Sequence, residues 1–203
     1  MLSSLPELLE ECRILHGHLC PGQVLGARMA LLGCRLIDIT DPRGNDRKKL
    51  IVWVEIDRCM TDAIGAATGV RLGRRSLKFF DYGKVAATFL NTETGVAFRL
   101  AALESSRELA DRRFNSIADK KARQMTAYQT AADDELFTFK RVVVNYDVND
   151  QPGRPRSRVI CEKCGEGVND AREVMMDGRL LCRPCSTNNY YQLASDNVSV
   201  NVS

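Results

Sequence analysis

Apolar residues recur at helical spacing over the first part of the chain. Ser4 is followed three residues later by Glu7, with a proline in the first turn, which is a typical helix start. Leucines and a cysteine then continue the helical period as far as Gly17, a residue that can end a helix. The pattern predicts one helix up to Gly17 and a second that begins at Pro21 and runs to about Leu36.

Segments rich in β-branched and aromatic residues follow the charged loop at 41–49. They predict strands, because alternating or continuous short apolar runs bounded by turn residues are typical of a sheet. The predicted strands are 50–56, 77–80, 85–90, 96–100 and 137–146. Between them, Thr61 is predicted to cap a short helix that closes at Gly69, and 102–128 is predicted to be one long or broken helix.

A change in composition near residue 147 predicts a domain boundary. The sequence DVNDQPGRPRSR contains two prolines and a glycine and almost nothing apolar, which is typical of a linker. We therefore predict a core domain at 1–146, a linker at 147–158, a zinc finger at 159–195 and a flexible polar tail at 196–203.

Four cysteines after the linker form two Cys-x-x-Cys pairs, Cys161 with Cys164 and Cys182 with Cys185. Two such pairs can place four thiolates around a tetrahedral Zn²⁺, and a closed sulfur shell indicates a structural rather than a catalytic metal. The order of knuckle, hairpin and helix start resembles a treble-clef finger. Two disulfides are the alternative, and the lack of a signal peptide argues against them.

Composition adds only broad limits. The chain has 203 residues, 44% of them hydrophobic and 27% charged, with 29 Lys and Arg against 26 Asp and Glu. These values predict a soluble globular protein and do not suggest a nucleic-acid partner, because phosphate binding needs clustered positive charge. The longest apolar stretch, 24–39, is interrupted by charges, so no membrane span is predicted, and we expect a cytoplasmic protein.

Both histidines of the chain lie within the stretch HGHLCPGQ, as His16 and His18, with Cys20 two residues further on. Alternate residues of an extended segment point to one side, so these three side chains can converge on a metal. The donors suit Zn²⁺ or another soft to borderline transition metal. Helix capping by His16, and no metal role for the other two, are the plainer alternatives.

Cys59 is the candidate for a fourth ligand, because it follows a predicted buried strand and precedes a helix. Cys20 at a helix start, and Cys59 as well, would feel a helix dipole that favours the thiolate form. Asp62 could be a further ligand, an outer partner of a ligand or a proton acceptor, or it could only favour its helix dipole. Cys12 and Cys34 lie on apolar helix faces and are predicted to be core residues.

Three motifs together resemble the FmdE family, named for a protein encoded with the molybdenum formylmethanofuran dehydrogenase of methanogenesis. They are HGHLCPGQVLGARMA, DRCMTDAIGAATG and DYGKVAATF, and the likeness covers most of 12–146. The resemblance implies an α+β fold, with a mixed or antiparallel sheet and packed helices, and frequent homodimers. It also implies a cleft that gathers His18, Cys20, Cys59 and Asp62, with Lys84 from the third motif.

These observations favour a metal-binding protein with a role in one-carbon, molybdenum-linked redox metabolism. Its candidate catalytic residues are Cys20, Cys59, Asp62 and Lys84, and the core site could hold Zn, Ni or Fe beside the structural Zn of the finger. The alternatives are an accessory or metal-delivery protein that docks to a partner enzyme, and a nucleic-acid-binding finger. The finger has no obvious base-reading helix pattern, which argues against the last of these.

Overall fold

The chain divides into two compact units, Met1–Tyr146 and Asp147–Ser203. A computed structural model describes residues 2–187 and 189–191. The predicted tail at 196–203 and the last residues of the predicted finger, 192–195, lie outside the described residues.

The first unit combines helices with one sheet. Its helices are α1 Leu5–His16, α2 Pro21–Leu36, α3 Cys59–Thr68, α4 Ser105–Arg113, α5 Lys120–Thr130 and α6 Asp133–Leu136, with a 3-10 turn at Leu72–Arg74. Its strands are β1 Leu50–Val54, β2 Leu77–Phe79, β3 Ala86–Asn91, β4 Ala97–Ala102 and β5 Phe137–Arg141. None of the helices within the described part of the chain has the length and apolar character needed to cross a membrane.

The five strands form a mixed sheet in the order β2-β1-β3-β4-β5. Strands β1 and β2 are parallel and the other neighbouring pairs are antiparallel. The buried side chains of Val52 and Val54 in β1 and Phe89 in β3 share one hydrophobic core with the helices. This arrangement confirms the predicted α+β class with a mixed sheet and packed helices.

Helix α2 lies at the centre of this core, in contact with α1, α3 and α5 and with strands β3 and β4. Two glycines allow the close approach. A Cβ atom on Gly26 would lie 2.5 Å from the carbonyl oxygen of Met60 in α3, and one on Gly33 would lie 2.5 Å from the Phe89 ring. Gly26 therefore sets how closely α2 can approach α3, and Gly33 sets how closely α2 can approach β3.

One predicted helix cap was wrong, and of the two alternatives for 102–128, one long helix or a broken one, the structure shows the broken one. Helix α3 begins at Cys59 with Arg58 as its cap, and the hydroxyl of Thr61 donates instead to the carbonyl of Ile56 at 2.5 Å. The segment 102–128 starts with the last residue of β4, Ala102, and is then divided into two helices. The second of these helices starts where Asp119 accepts a hydrogen bond from the amide of Ala122. The break directs the first residue of α5 toward the start of α2.

The second unit consists of two hairpins and one helical turn. Its elements are β6 Arg158–Ile160, β7 Gly167–Asn169, β8 Val174–Met176, β9 Arg179–Leu181 and α7 Arg183–Ser186, preceded by a 3-10 turn at Val148–Asp150. The segment predicted as a linker belongs to this unit. The backbone amide of Arg156 donates to Asp170 at 2.9 Å, and Asp150 forms an ion pair with Arg172. Polar residues of the segment therefore have partners on the finger.

Glu55 is a buried acid on the sheet, directly after β1. Its side chain is 10% exposed and receives two hydrogen bonds of 2.7 Å from the guanidinium of Arg99 in β4. A two-pronged contact of this kind compensates a buried carboxylate, and removing one partner leaves the other charge unpaired.

We expect the substitution Arg99→Ala to lower the free energy of unfolding by about 2 kcal/mol, a value reduced for the partial exposure of the arginine. Urea denaturation of the full chain measures the change. The control is Arg112→Ala, because Arg112 pairs with Glu108 on the surface at 3.5 Å and is expected to cost less than about 0.5 kcal/mol. Equal losses for the two variants would contradict the prediction.

Candidate metal centres

The first candidate centre lies where α1 ends and α2 begins. His16 is the last residue of α1, and Gly17, with φ of 86°, turns the chain out of the helix. Donor atoms of His16, His18 and Cys20 all lie within 4.8 Å of one another. His18 is exposed, while the other two residues are half-buried. The structure thus brings three of the predicted ligands together, although His16 is helical.

Asp62 reaches this centre through His16. Its Oδ2 atom lies 3.0 Å from Nδ1 of the imidazole. A carboxylate beside Nδ1 accepts the proton of that nitrogen, which leaves Nε2 of the ring available to a metal. Of the roles considered for Asp62, the geometry therefore favours an outer partner that orients a ligand.

Gln23 fixes the backbone of Cys20, and sequence reasoning missed it. Its side chain is fully buried, its Oε1 accepts the amide of Cys20 at 3.1 Å, and its Nε2 donates to the carbonyl of Cys12 at 3.1 Å. Cys20 is the cap of α2, so Gln23 completes a capping box and ties α2 to α1. The spacing Cys-x-x-Gln was a signal that could have identified it.

Cys59 lies beside Cys20 at the start of α3, but it does not belong to the group of three mutually close donors. Burial raises the pKa of the Cys59 thiol, and a hydrogen bond with the Cys20 side chain raises it further. The predicted thiolate-favouring effect of the helix start is therefore outweighed at Cys59, because desolvation and a neighbouring thiol both disfavour the charged form.

Lys84 lies in the loop before β3, with an exposed side chain. Its amide donates to the carbonyl of Glu55 at 3.1 Å, so its backbone is held against the sheet. The neighbouring residue, Val85, lines a cavity beside Cys20 and Cys59, whereas Lys84 does not line it. The structure does not bring Lys84 into the group of three donors.

A cavity of about 380 Å³ opens beside the two thiols. Cys20 and Cys59 form part of its wall, and three cationic residues, Arg58, Arg107 and Lys120, form another part. These cations come from three different helices or their caps, and sequence reasoning did not connect them to the site. Because these residues are far apart in the sequence, no local motif indicates that they come together.

The second candidate centre is the cluster of Cys161, Cys164, Cys182 and Cys185, whose sulfur atoms all lie within 4.8 Å of one another. Sulfurs at the corners of a tetrahedron around Zn²⁺, each about 2.3 Å from the metal, would be about 3.8 Å apart. The sulfur atoms of Cys164 and Cys182 are 3.7 Å apart. The cluster therefore fits a tetrahedral zinc ion.

Local backbone geometry presents these cysteines. Cys161 and Cys164 lie on the knuckle between β6 and β7, where the amide of Cys161 donates to Glu166 at 2.9 Å. Cys182 caps α7 and Cys185 lies within it. Asp177 and Gly178 both have positive φ in the turn between β8 and β9, as a tight two-residue hairpin requires. Knuckle, hairpin and helix follow the predicted order.

Backbone amides also favour a thiolate in this cluster. The amides of Cys164 and Cys182 lower the pKa of Cys161 to about 6, and the Cys182 amide lies 3.2 Å from its sulfur. In contrast, burial raises the pKa of Cys34 to about 12 and raises that of Cys12. The prediction that Cys12 and Cys34 are core residues is confirmed, because both are buried.

Comparison with known protein families gives two matches. Residues 15–138 match the model described as FmdE, molybdenum formylmethanofuran dehydrogenase operon. Residues 154–188 match the model of the prokaryotic dksA/traR C4-type zinc finger. The first match contains His16, His18, Cys20, Cys59 and Asp62, and the second contains the four clustered cysteines.

Two individual proteins are also similar. A probable S-adenosyl-L-methionine-binding protein of Archaeoglobus fulgidus is 29% identical over 207 residues, which cover 93% of this chain and 55% of that protein. The chain thus spans about half the length of this relative. The crystal structure of a tungsten formylmethanofuran dehydrogenase FmdE-like protein from Syntrophus aciditrophicus superimposes with a TM-score of 0.61 at 18% identity, covering 94% of this chain and 96% of that one.

Proposed function

The chain belongs to the FmdE family, and from this premise we propose that it binds a transition metal at His16, His18 and Cys20 and serves one-carbon redox metabolism linked to molybdenum or tungsten. The observation that carries the proposal is the convergence of two imidazoles and a thiol within 4.8 Å. Imidazole and thiolate are the ligands that Zn²⁺ and similar divalent metals prefer.

The residues present fit such a metal. His16 and His18 would supply nitrogen and Cys20 would supply sulfur, while Asp62 holds the ring of His16 at 3.0 Å. Three protein ligands are typical of a centre that leaves one position for a small molecule. A metal bound there would supply Lewis acidity next to the cavity that Cys20 lines.

The surrounding side chains have separate tasks in this proposal. Gln23 holds the backbone of Cys20, so the thiol keeps a fixed direction at the start of α2. Cys59 lies next to Cys20 in the wall of the cavity, and in the metal-free chain burial raises the pKa of its thiol.

The metabolic role is supported by the family and by the fold of the Syntrophus protein. Since the chain corresponds to only about half of the Archaeoglobus relative, we do not propose the ligand named for that protein as a ligand of this chain.

An accessory role in metal delivery is the second candidate. It is favoured by the exposure of His18, since a ligand open to solvent can exchange its metal with a partner protein. A chelator that strips the core metal quickly but leaves the finger zinc in place would favour delivery over a fixed centre.

We expect purified protein to hold one more transition-metal ion per chain than the finger alone accounts for. The variant Cys20→Ala is expected to lose that additional ion, and Asp62→Asn is expected to weaken its binding by about 10- to 100-fold, because the carboxylate orients a ligand without touching the metal. Elemental analysis of the full chain, with competition by a chelator of known affinity, measures both effects.

Asp57→Asn is the matched control, because Asp57 is an exposed acid close to the same helix start and has no contact with His16. It is expected to bind the metal as the unmodified chain does. If Cys20→Ala retained the full metal content, the proposed centre would be refuted.

A further inference from the structure

The cavity next to Cys20 and Cys59 has the dimensions of a small-molecule site. Its volume of about 380 Å³ falls in the range of pockets that hold small ligands. No role in metal ligation accounts for it, because of the three close donors only Cys20 lines it.

The charge of this cavity has one sign. Arg58, Arg107 and Lys120 line it, and none of the lining residues within the described chain is acidic. Arg107 has a loose surface pair, with Nε 3.6 Å from Glu104, which lies outside the lining. The side chains of Arg58 and Lys120 have no ion-pair partner among the residues that the structure describes. Their charge is therefore available to a ligand.

The positive ends of helix dipoles also lie at this cavity. Cys20 and Arg58 are the caps of α2 and α3, and Lys120 is the first residue of α5, so three helices begin at the wall of the cavity. Helix starts carry partial positive charge and favour anions. The dipoles add to the cationic side chains, which make the larger contribution.

The remaining wall is mostly apolar. Leu25, Ile56, Met60 and Val85 contribute to it, together with the buried ring of Tyr128. A fully hydrated inorganic ion gains nothing from such surfaces, whereas an organic molecule with an apolar body buries them. The lining thus combines a place for an acidic group with a place for a short hydrocarbon portion.

We propose that this cavity binds a small organic anion, with its carboxylate or phosphate group against Arg58 and Lys120 and its apolar portion against Leu25 and Val85. This inference deepens the proposed function, on which it rests, by naming the class of molecule that meets the metal centre. The bound molecule lies next to the Cys20 and Cys59 thiols, so it is the substrate or effector of that centre.

Calorimetric titration of the metal-loaded full chain tests the proposal with three probes of similar size, namely pentanoate, n-butyl phosphate and the neutral pentanamide. At least one anion is expected to bind and the amide is not. Whichever anion binds more tightly identifies a carboxylate or a phosphate as the natural group. Arg58→Gln and Lys120→Gln are each expected to weaken that binding about tenfold, because each removes a charge-assisted hydrogen bond.

Lys121→Gln is the matched control, because Lys121 is the next residue of α5 and does not line the cavity. It is expected to change the affinity less than about twofold, as a surface charge does. Absence of binding by both anions at low ionic strength would overturn the inference, and so would an equal loss in Lys120→Gln and Lys121→Gln. Metal content, measured on the same samples, shows separately whether the proposed centre itself stands.

Discussion

Replacing Cys182 by serine is expected to release the finger zinc and to unfold the described finger residues 159–187, while the first unit stays folded. The second unit has only four buried hydrophobic residues within its described part, Cys161, Val168, Leu181 and Cys182, and two of them are ligands. Such a core cannot offset the loss of chain entropy, and structural zinc supplies about 10 kcal/mol or more in modules of this kind. Hydrogen exchange of the full chain, combined with zinc analysis, measures the loss.

The control for this experiment is Cys34→Ala. Cys34 is a buried core thiol of the first unit, so its loss removes a cysteine without removing a zinc ligand. We expect this variant to keep the zinc and the protection of the finger amides. If the finger amides of Cys182→Ser remained as protected as those of the unmodified chain, zinc would not be the main source of the stability of the finger.

The finger was predictable from sequence because its determinants are local. Each Cys-x-x-Cys pair occupies one tight turn, and Asp177 and Gly178 specify a two-residue hairpin through their positive φ angles. No contact with a distant part of the chain is needed to place the four sulfurs. The predicted linker differs from the structure because Arg156 and Asp150 have partners in the finger, and a polar composition does not reveal such partners.

The core centre was predictable only in part. The group of His16, His18 and Cys20 comes from one short stretch, so the sequence alone indicated its convergence. The hydrogen bond between His16 and Asp62, 46 residues apart, depends on how α3 packs against α1. The raised pKa of Cys59 depends on burial, which spacing does not report.

The cationic wall of the cavity could not be predicted. Its charges come from the cap of α3, from α4 and from the first residue of α5, and the sequence pattern did not show where the helix at 102–128 breaks. A continuous helix would have carried Lys120 on an interior turn. The break after Arg113, followed by the Asp119 cap, makes Lys120 the first residue of a helix that begins at the cavity beside the thiols.

The geometry of the site depends on how closely α2 and α3 pack, and Gly26→Ala is expected to disturb it. The added Cβ atom would lie 2.5 Å from the Met60 carbonyl oxygen and 2.8 Å from the Ala63 Cβ. A backbone oxygen cannot move aside as a flexible side chain can, so the two helices must separate. We expect the free energy of unfolding to fall by about 3 kcal/mol.

The same separation is expected to move Cys59 away from Cys20. Because burial and the Cys20 contact both raise the pKa of Cys59, their loss would lower that pKa and increase the thiolate fraction at neutral pH. Alkylation of Cys59 by iodoacetamide in metal-free protein, followed by peptide mapping, is therefore expected to become faster than in the unmodified chain.

Gly65→Ala in α3 is the matched control for this substitution. A Cβ atom there would meet only the Val70 carbonyl oxygen at 3.5 Å, which is an ordinary contact. Alanine is the better helix former, so this variant is expected to gain about 0.5 to 1 kcal/mol and to leave the alkylation rate of Cys59 unchanged. Both variants make the same chemical change, glycine to alanine, in neighbouring helices. If Gly26→Ala were as stable as Gly65→Ala and its Cys59 were alkylated no faster, close packing of α2 on α3 would not hold the two thiols together.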